Sequence, residues 1–193
     1  GHRYFLDASG LMKTGWVQDN GKWYLLNSSG AMQKGWQYTG GAWYYLGSDG
    51  VMQTGWIQEG GNSYYLSSSG AMKTGWLQDN GKWYLLNSSG AMQKGWQYTG
   101  GAWYYLGSDG VMQTGWIQEG GNSYYLNSSG AMKTGWLQDN GKWFYLNSSG
   151  AMHKGWLKHY GVWYYLGQDG VMYTGTHVID NTTYNFDTTG ALA

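Results

Sequence analysis

The chain has 193 residues, only 11% of them charged, with eleven basic side chains against eleven acidic ones and no cysteine. That balance excludes a nucleic-acid binder, which needs clustered Lys and Arg to neutralise phosphates, and the missing thiols exclude disulfides and thiolate metal sites. No apolar run approaches the ~18 residues of a membrane-spanning helix.

The first predicted elements are two short segments, Thr14 to Gln18 and Lys22 to Leu26, flanking Asp19-Asn20-Gly21. Asn-Gly between such runs is a strong hairpin signal, because both central residues of a type I′ turn need positive φ. The loop that follows, Asn27-Ser28-Ser29-Gly30, is polar, and its glycine suits a left-handed conformation. At Gly35-Trp36 the phrase begins again. Gly-Trp then recurs every twenty residues as far as Gly155-Trp156, methionine keeps the same step from Met12 to Met172, and Gly-Gly replaces Asn-Gly at 40–41, 60–61, 100–101 and 120–121. Residues 18 to 66 return unchanged as 78 to 126, so three repeats form a larger period. The last stretch, THVIDNTTYNFDTTGALA, has Thr176 in place of the indole and reads as a terminal cap. A lone hairpin is marginal in water, so neighbouring units must cover one another. The expected fold is all-β: a solenoid of stacked 20-residue hairpins, an array over 1–175 closed by a capping repeat over 176–193, with about three hairpins per turn.

Strand side chains alternate between faces. With Asn20-Gly21 as the turn, Val17, Tyr24 and Leu26 share one face, and Trp16, Trp23 and residue 25 share the other. The first set is uniform along the repeats and reads as core. In the second, the Trp23 position becomes Ser at Ser63 and Ser123, an exchange that would leave a hole if the indole were interior filler. Indoles, a phenol and a thioether form a poor close-packed core but a good cage for a soft cation. A quaternary ammonium has no N–H to donate, and ring faces attract it through their quadrupoles at roughly 1–2 kcal/mol per desolvated contact. The alternative use of the same rings is to staple one hairpin to the next.

The phrase GWxxxxxxWYYLxxxGxMxTG resembles the choline-binding, or cell-wall-binding, repeat of pneumococcal and related Gram-positive surface proteins, over essentially the whole chain. The resemblance implies a left-handed solenoid of hairpins and an extracellular, cell-wall location. It implies binding of the choline of phosphocholine on teichoic and lipoteichoic acids, without a cofactor. It further implies sites between consecutive hairpins, each with two Trp from one repeat, a Tyr from the next and a nearby Met. Carried onto this sequence, the first site is Trp16, Trp23, Met32 and Tyr45, and the second is Trp36, Trp43, Met52 and Tyr65. Trp76, Trp83, Met92 and Tyr105 follow, then Trp96, Trp103, Met112 and Tyr125, and finally Trp136, Trp143, Met152 and Tyr165. Trp56 and Trp116 depart from the pattern through Ser63 with Leu85 and through Ser123, and Trp156 with Trp163 meets Asn185.

No catalytic or metal constellation is visible. The carboxylates sit mainly in turns, where turn formation accounts for them. His2, His153, His159 and His177 are scattered, and no serine has an oriented base. Any enzymatic activity would belong to a domain outside this chain. Two other readings remain open: glucan binding, since aromatic platforms also stack on sugar rings, and a structural spacer that self-associates through its C-terminal repeat.

Overall fold

Asn20 and Gly21 adopt φ of +48° and +75°, the left-handed pair that a type I′ turn demands. This turn joins β1 (Gly15–Asp19) to β2 (Lys22–Leu26) in the register Trp16 opposite Leu25, Val17 opposite Tyr24 and Gln18 opposite Trp23. The computed structural model describes residues 1–193 and repeats that hairpin every twenty residues, ending with β17 (Gly175–Ile179) and β18 (Thr182–Phe186). Eighteen strands pair as nine two-stranded antiparallel sheets, with no helix and no barrel closure. The expected register and the hairpin architecture are both found.

Each hairpin continues through a turn capped by its own side chain. The Asn27 Oδ1 accepts from the Ser29 and Ala31 amides at 3.0 and 2.9 Å, bringing Met32 into a bridge with Leu26. The next link in the fold is made by the following repeat. The Met52 N–H donates to the Trp23 carbonyl at 2.8 Å, and the Met72 N–H to that of Trp43 at the same distance. Within each unit a bond spanning twenty-nine residues therefore seats a hairpin on its predecessor, satisfying backbone groups that a two-stranded sheet leaves bare at its edge.

The chain divides into two compact units, Gly1–Gln93 and Lys94–Ala193, each a stack of such hairpins. The core of each is a file of leucines at one position of the repeat. Leu46, Leu66 and Leu86 in the first unit, and Leu106, Leu126, Leu146 and Leu166 in the second, are fully buried. Around them lie Val17, Leu26 and Met32 at one end of the first unit, and Leu137, Phe144 and Leu146 in the second. The face carrying Val17, Tyr24 and Leu26 is thus the interior one, as its uniformity implies.

Candidate functional site

The opposite face holds the paired indoles in every hairpin except those of Ser63, Ser123 and Thr176, and the interior face of the next hairpin packs against it. Trp16 meets Tyr44 edge-on at 4.9 Å between ring centroids, and Trp36 meets Tyr64 in the same way at 4.9 Å. The stacking is face to back. Trp16, Trp23, Tyr44 and Met52 consequently line one open groove of about 360 Å³, with Ser68 and Ser69 at its edge. Trp36, Trp43, Tyr64 and Met72, with Ser88 and Ser89, line a second of about 320 Å³. No lining residue is charged. Trp23 and Trp43 keep 41% and 43% of their surface exposed, so they are walls and not filler.

This composition differs from the expected one in two of its four members. Tyr45 lies on the indole face but packs across its own hairpin against Trp36 at 5.1 Å, and its hydroxyl donates to the Glu59 carboxylate at 2.7 Å. Tyr65, Tyr105, Tyr125 and Tyr165 pack in the same way against Trp56, Trp96, Trp116 and Trp156, at 5.1 to 5.2 Å. Tyr105 donates to Glu119 at 2.7 Å. These hydrogen bonds hold the Tyr45 and Tyr105 phenols above their ordinary pKa, since ionisation would set phenolate against carboxylate. Met32 is buried in the core cluster with Val17 and Leu26. Met52 belongs to the first groove and not the second. The Met92 and Met152 amides donate to the Ser63 and Ser123 carbonyls, and Met112 bridges to Leu106. The Tyr44 type was missed because its constancy along the chain marks a core column. It is a core column whose outer edge also serves the preceding hairpin.

In the second unit Trp96 stands 6.5 Å from Trp103 and 4.9 Å from Tyr124, and the Met132 amide binds the Trp103 carbonyl at 2.8 Å. Trp136, Trp143, Tyr164 and Met172 repeat this set, with ring separations of 6.4 and 5.0 Å and the Met172 amide on the Trp143 carbonyl. Trp76 and Trp83 also meet at 6.4 Å in the first unit. One further aromatic set closes the chain. Trp156 lies 6.1 Å from Trp163 and 4.8 Å from Tyr184, with Leu192 in the methionine's place. Its expected neighbour Asn185 instead accepts from Thr176 at 2.7 Å. There the Lys158 ammonium lies 5.6 Å from the Trp163 ring centroid, the geometry by which an indole attracts a cation.

The two serine-bearing interfaces are built differently. Trp56 still packs on Tyr84 and Trp116 on Phe144, both at 4.9 Å. However, their indole N–H groups donate to Asp79 and Asp139 at 3.1 Å, and Gln58 and Gln118 bind the serine hydroxyls. One wall is missing and a carboxylate is tied to the indole beside it.

The choline-binding repeat family matches residues 13–47, 34–75, 73–107, 95–135 and 133–174. The chain belongs to that family. Among solved structures, CbpJ from Streptococcus pneumoniae is similar at 32% identity and a TM-score of 0.70, over 100% of this chain and 94% of that one. Choline binding protein F from the same organism is 32% identical with a TM-score of 0.70, over 100% and 90%. The choline-binding domain of CbpL, also from S. pneumoniae, is 35% identical with a TM-score of 0.72, over 94% and 97%. No curated protein matches the sequence. The choline-binding repeats thus account for the hairpins between residues 13 and 174, and the solved structures share the hairpin architecture described above.

Proposed function

We propose that the chain is a non-catalytic binding module that holds the choline groups of teichoic and lipoteichoic acids at a Gram-positive cell surface. The observation that carries this reading is the uncharged, open groove walled by Trp16, Trp23, Tyr44 and Met52 and repeated at Trp36. Ring faces set steeply to one another around a void attract a methylated nitrogen from several sides, and the walls themselves carry no carboxylate that would favour an N–H-bearing cation. Each groove spends part of that attraction on lost ligand freedom and binds weakly, in the millimolar range. Several grooves on one polymer multiply the strength, because every contact after the first is intramolecular. The cages take the sets Trp-Trp-Tyr(44 type)-Met, with Trp96, Trp103, Tyr124, Met132 and Trp136, Trp143, Tyr164, Met172 as further members.

Choline titration followed by tryptophan fluorescence tests this. Saturation in the millimolar range with a rise in melting temperature is expected, since a ligand bound only by the native state stabilises it. A flat response rejects the reading. Glucan binding has one observation in its favour. Tyr38 and Tyr98, 62% and 61% exposed, lie 5.2 Å from Trp43 and Trp103 and offer flat rings to solvent. A response to dextran and none to choline would transfer the assignment to sugars.

A further inference from the structure

We infer that the serine turn at the edge of each cage is a subsite for the phosphate of phosphocholine. The inference rests on the choline reading above and adds a contact to it. Ser68 and Ser69 border the first groove and Ser88 and Ser89 the second, so a turn two repeats further along the chain completes each cavity. The outer hydroxyls are engaged: Ser69 with Ser67 at 2.8 Å, and Ser89 with Asn87 at 2.9 Å. The Ser68 and Ser88 side chains make no hydrogen bond within the chain and are exposed. Each groove therefore pairs aromatic walls with hydroxyl donors whose valence is open.

The repeats supply a comparison within the molecule. Fifty-two and fifty-three residues separate Trp16 from Ser68 and Ser69, and the same offset from Trp96 and Trp136 leads to Ser148-Ser149 and Thr188-Thr189. From Trp56 and Trp116, whose interfaces have Ser63 and Ser123 in place of the second indole, it leads to Ser108-Asp109 and Gln168-Asp169. The capping oxygen comes from the first residue of the turn where that is Asn, and from the third where Gly107 or Gly167 stands first. The Asn147 Oδ1 caps its turn by accepting from Ala151 at 3.1 Å, and the Asp169 Oδ1 does so by accepting from Val171 at 3.0 Å. Both chemistries close the loop, and at the outer position of the turn the acid, Asp109 or Asp169, stands with the two interfaces that lack a cage, whereas Ser69, Ser89, Ser149 and Thr189 stand with complete ones. A carboxylate at a cage mouth would repel a phosphate, whereas a neutral hydroxyl donates to it.

The ligand's geometry suits the arrangement. In phosphocholine two carbons and an ester oxygen separate the ammonium from the phosphorus, so the anion emerges at the mouth when the methyls are seated among the rings. Cavities of about 360 and 320 Å³ correspond to the space of on the order of ten waters, more than a trimethylammonium head fills. Neutral donors also fit a zwitterion better than a lysine would, since a lysine would repel the ammonium it is meant to help hold.

The test compares choline with phosphocholine on the full chain, by fluorescence titration at low ionic strength. Phosphocholine is expected to bind about two- to tenfold more tightly, the range of one net hydrogen bond. Replacing Ser68, Ser88, Ser148 and Thr188 together by Ala should bring the ratio of phosphocholine to choline affinity close to one, with melting temperature unchanged. Ser88→Asp and Ser148→Asp should lower phosphocholine affinity further and leave or raise that for choline. Equal affinity for the two ligands, or a preference that survives the alanine variant, overturns the subsite while the cages stand. No response to choline itself overturns the cages and the subsite together.

Discussion

Tyr160 occupies a turn position where Asn20, Asn80 and Asn140 stand in other repeats, at the same φ of +48°. A left-handed conformation is costly for a bulky side chain and tolerable for asparagine, and at 94% exposure this ring recovers only an edge contact with His159 at 4.4 Å. Tyr160→Asn should raise unfolding stability by roughly 1 kcal/mol in a denaturant melt. The opposite case is Leu106, fully buried in the core file, where truncation to Ala should cost about 2–4 kcal/mol. The Tyr45–Glu59 pair belongs to the same scale. A raised phenol pKa means that its stabilising hydrogen bond is intact below the ordinary tyrosine value and is lost as pH climbs through the raised one. Ultraviolet titration should find Tyr45 ionising above pH 10, and Glu59→Gln should bring it back toward the ordinary value.

At the scale of the hairpin, much was legible from local chemistry. Asn20-Gly21 fixed the turn, the turn fixed the register, and the register sorted Trp16 and Trp23 from Val17 and Tyr24. What local chemistry did not contain was the manner of stacking. If two hairpins met through like faces, Tyr45 would join Trp16 and Trp23. They meet face to back, so Tyr44 does, 28 residues from Trp16, and Met52 replaces Met32 because the amide link also reaches forward. No spacing rule within one hairpin encodes a contact whose two halves lie on opposite faces of identical units. The link has a vulnerable point at Gly70, which holds φ of +86° and whose absent side chain leaves room for the Met52 sulfur and methyl. Gly70→Ala should therefore strain the turn and push Met52 out of the first groove. The expected result is a lower melting temperature together with weaker choline binding at that groove, read by a crystal soak or by methionine methyl shifts in NMR.

Across the whole molecule the repeats share one scaffold but not one set of walls. Within each unit the leucine file and the amide links recur from hairpin to hairpin, while the aromatic walls lapse at Ser63 and Ser123 and the last pair already faces Lys158. On the proposed reading, stability rests chiefly on the leucine column and choline binding on the indole columns, with the Tyr44 and Met52 columns shared between them. Trp103→Ala should show this directly: one choline equivalent fewer in calorimetry, with a change in melting temperature smaller than that of Leu106→Ala. A loss of several equivalents would mean that the grooves do not act as separate sites.

The amide-to-carbonyl step that seats Met52 on Trp23 and Met72 on Trp43 has the same reach each time. Excising or inserting twenty residues in frame brings equivalent ends together and leaves every remaining joint intact, whereas a change of ten would set donors against the wrong neighbours. Copy number is therefore a free variable for this architecture. Reach along a polymer can be lengthened or shortened by duplication alone, without inventing a single new contact.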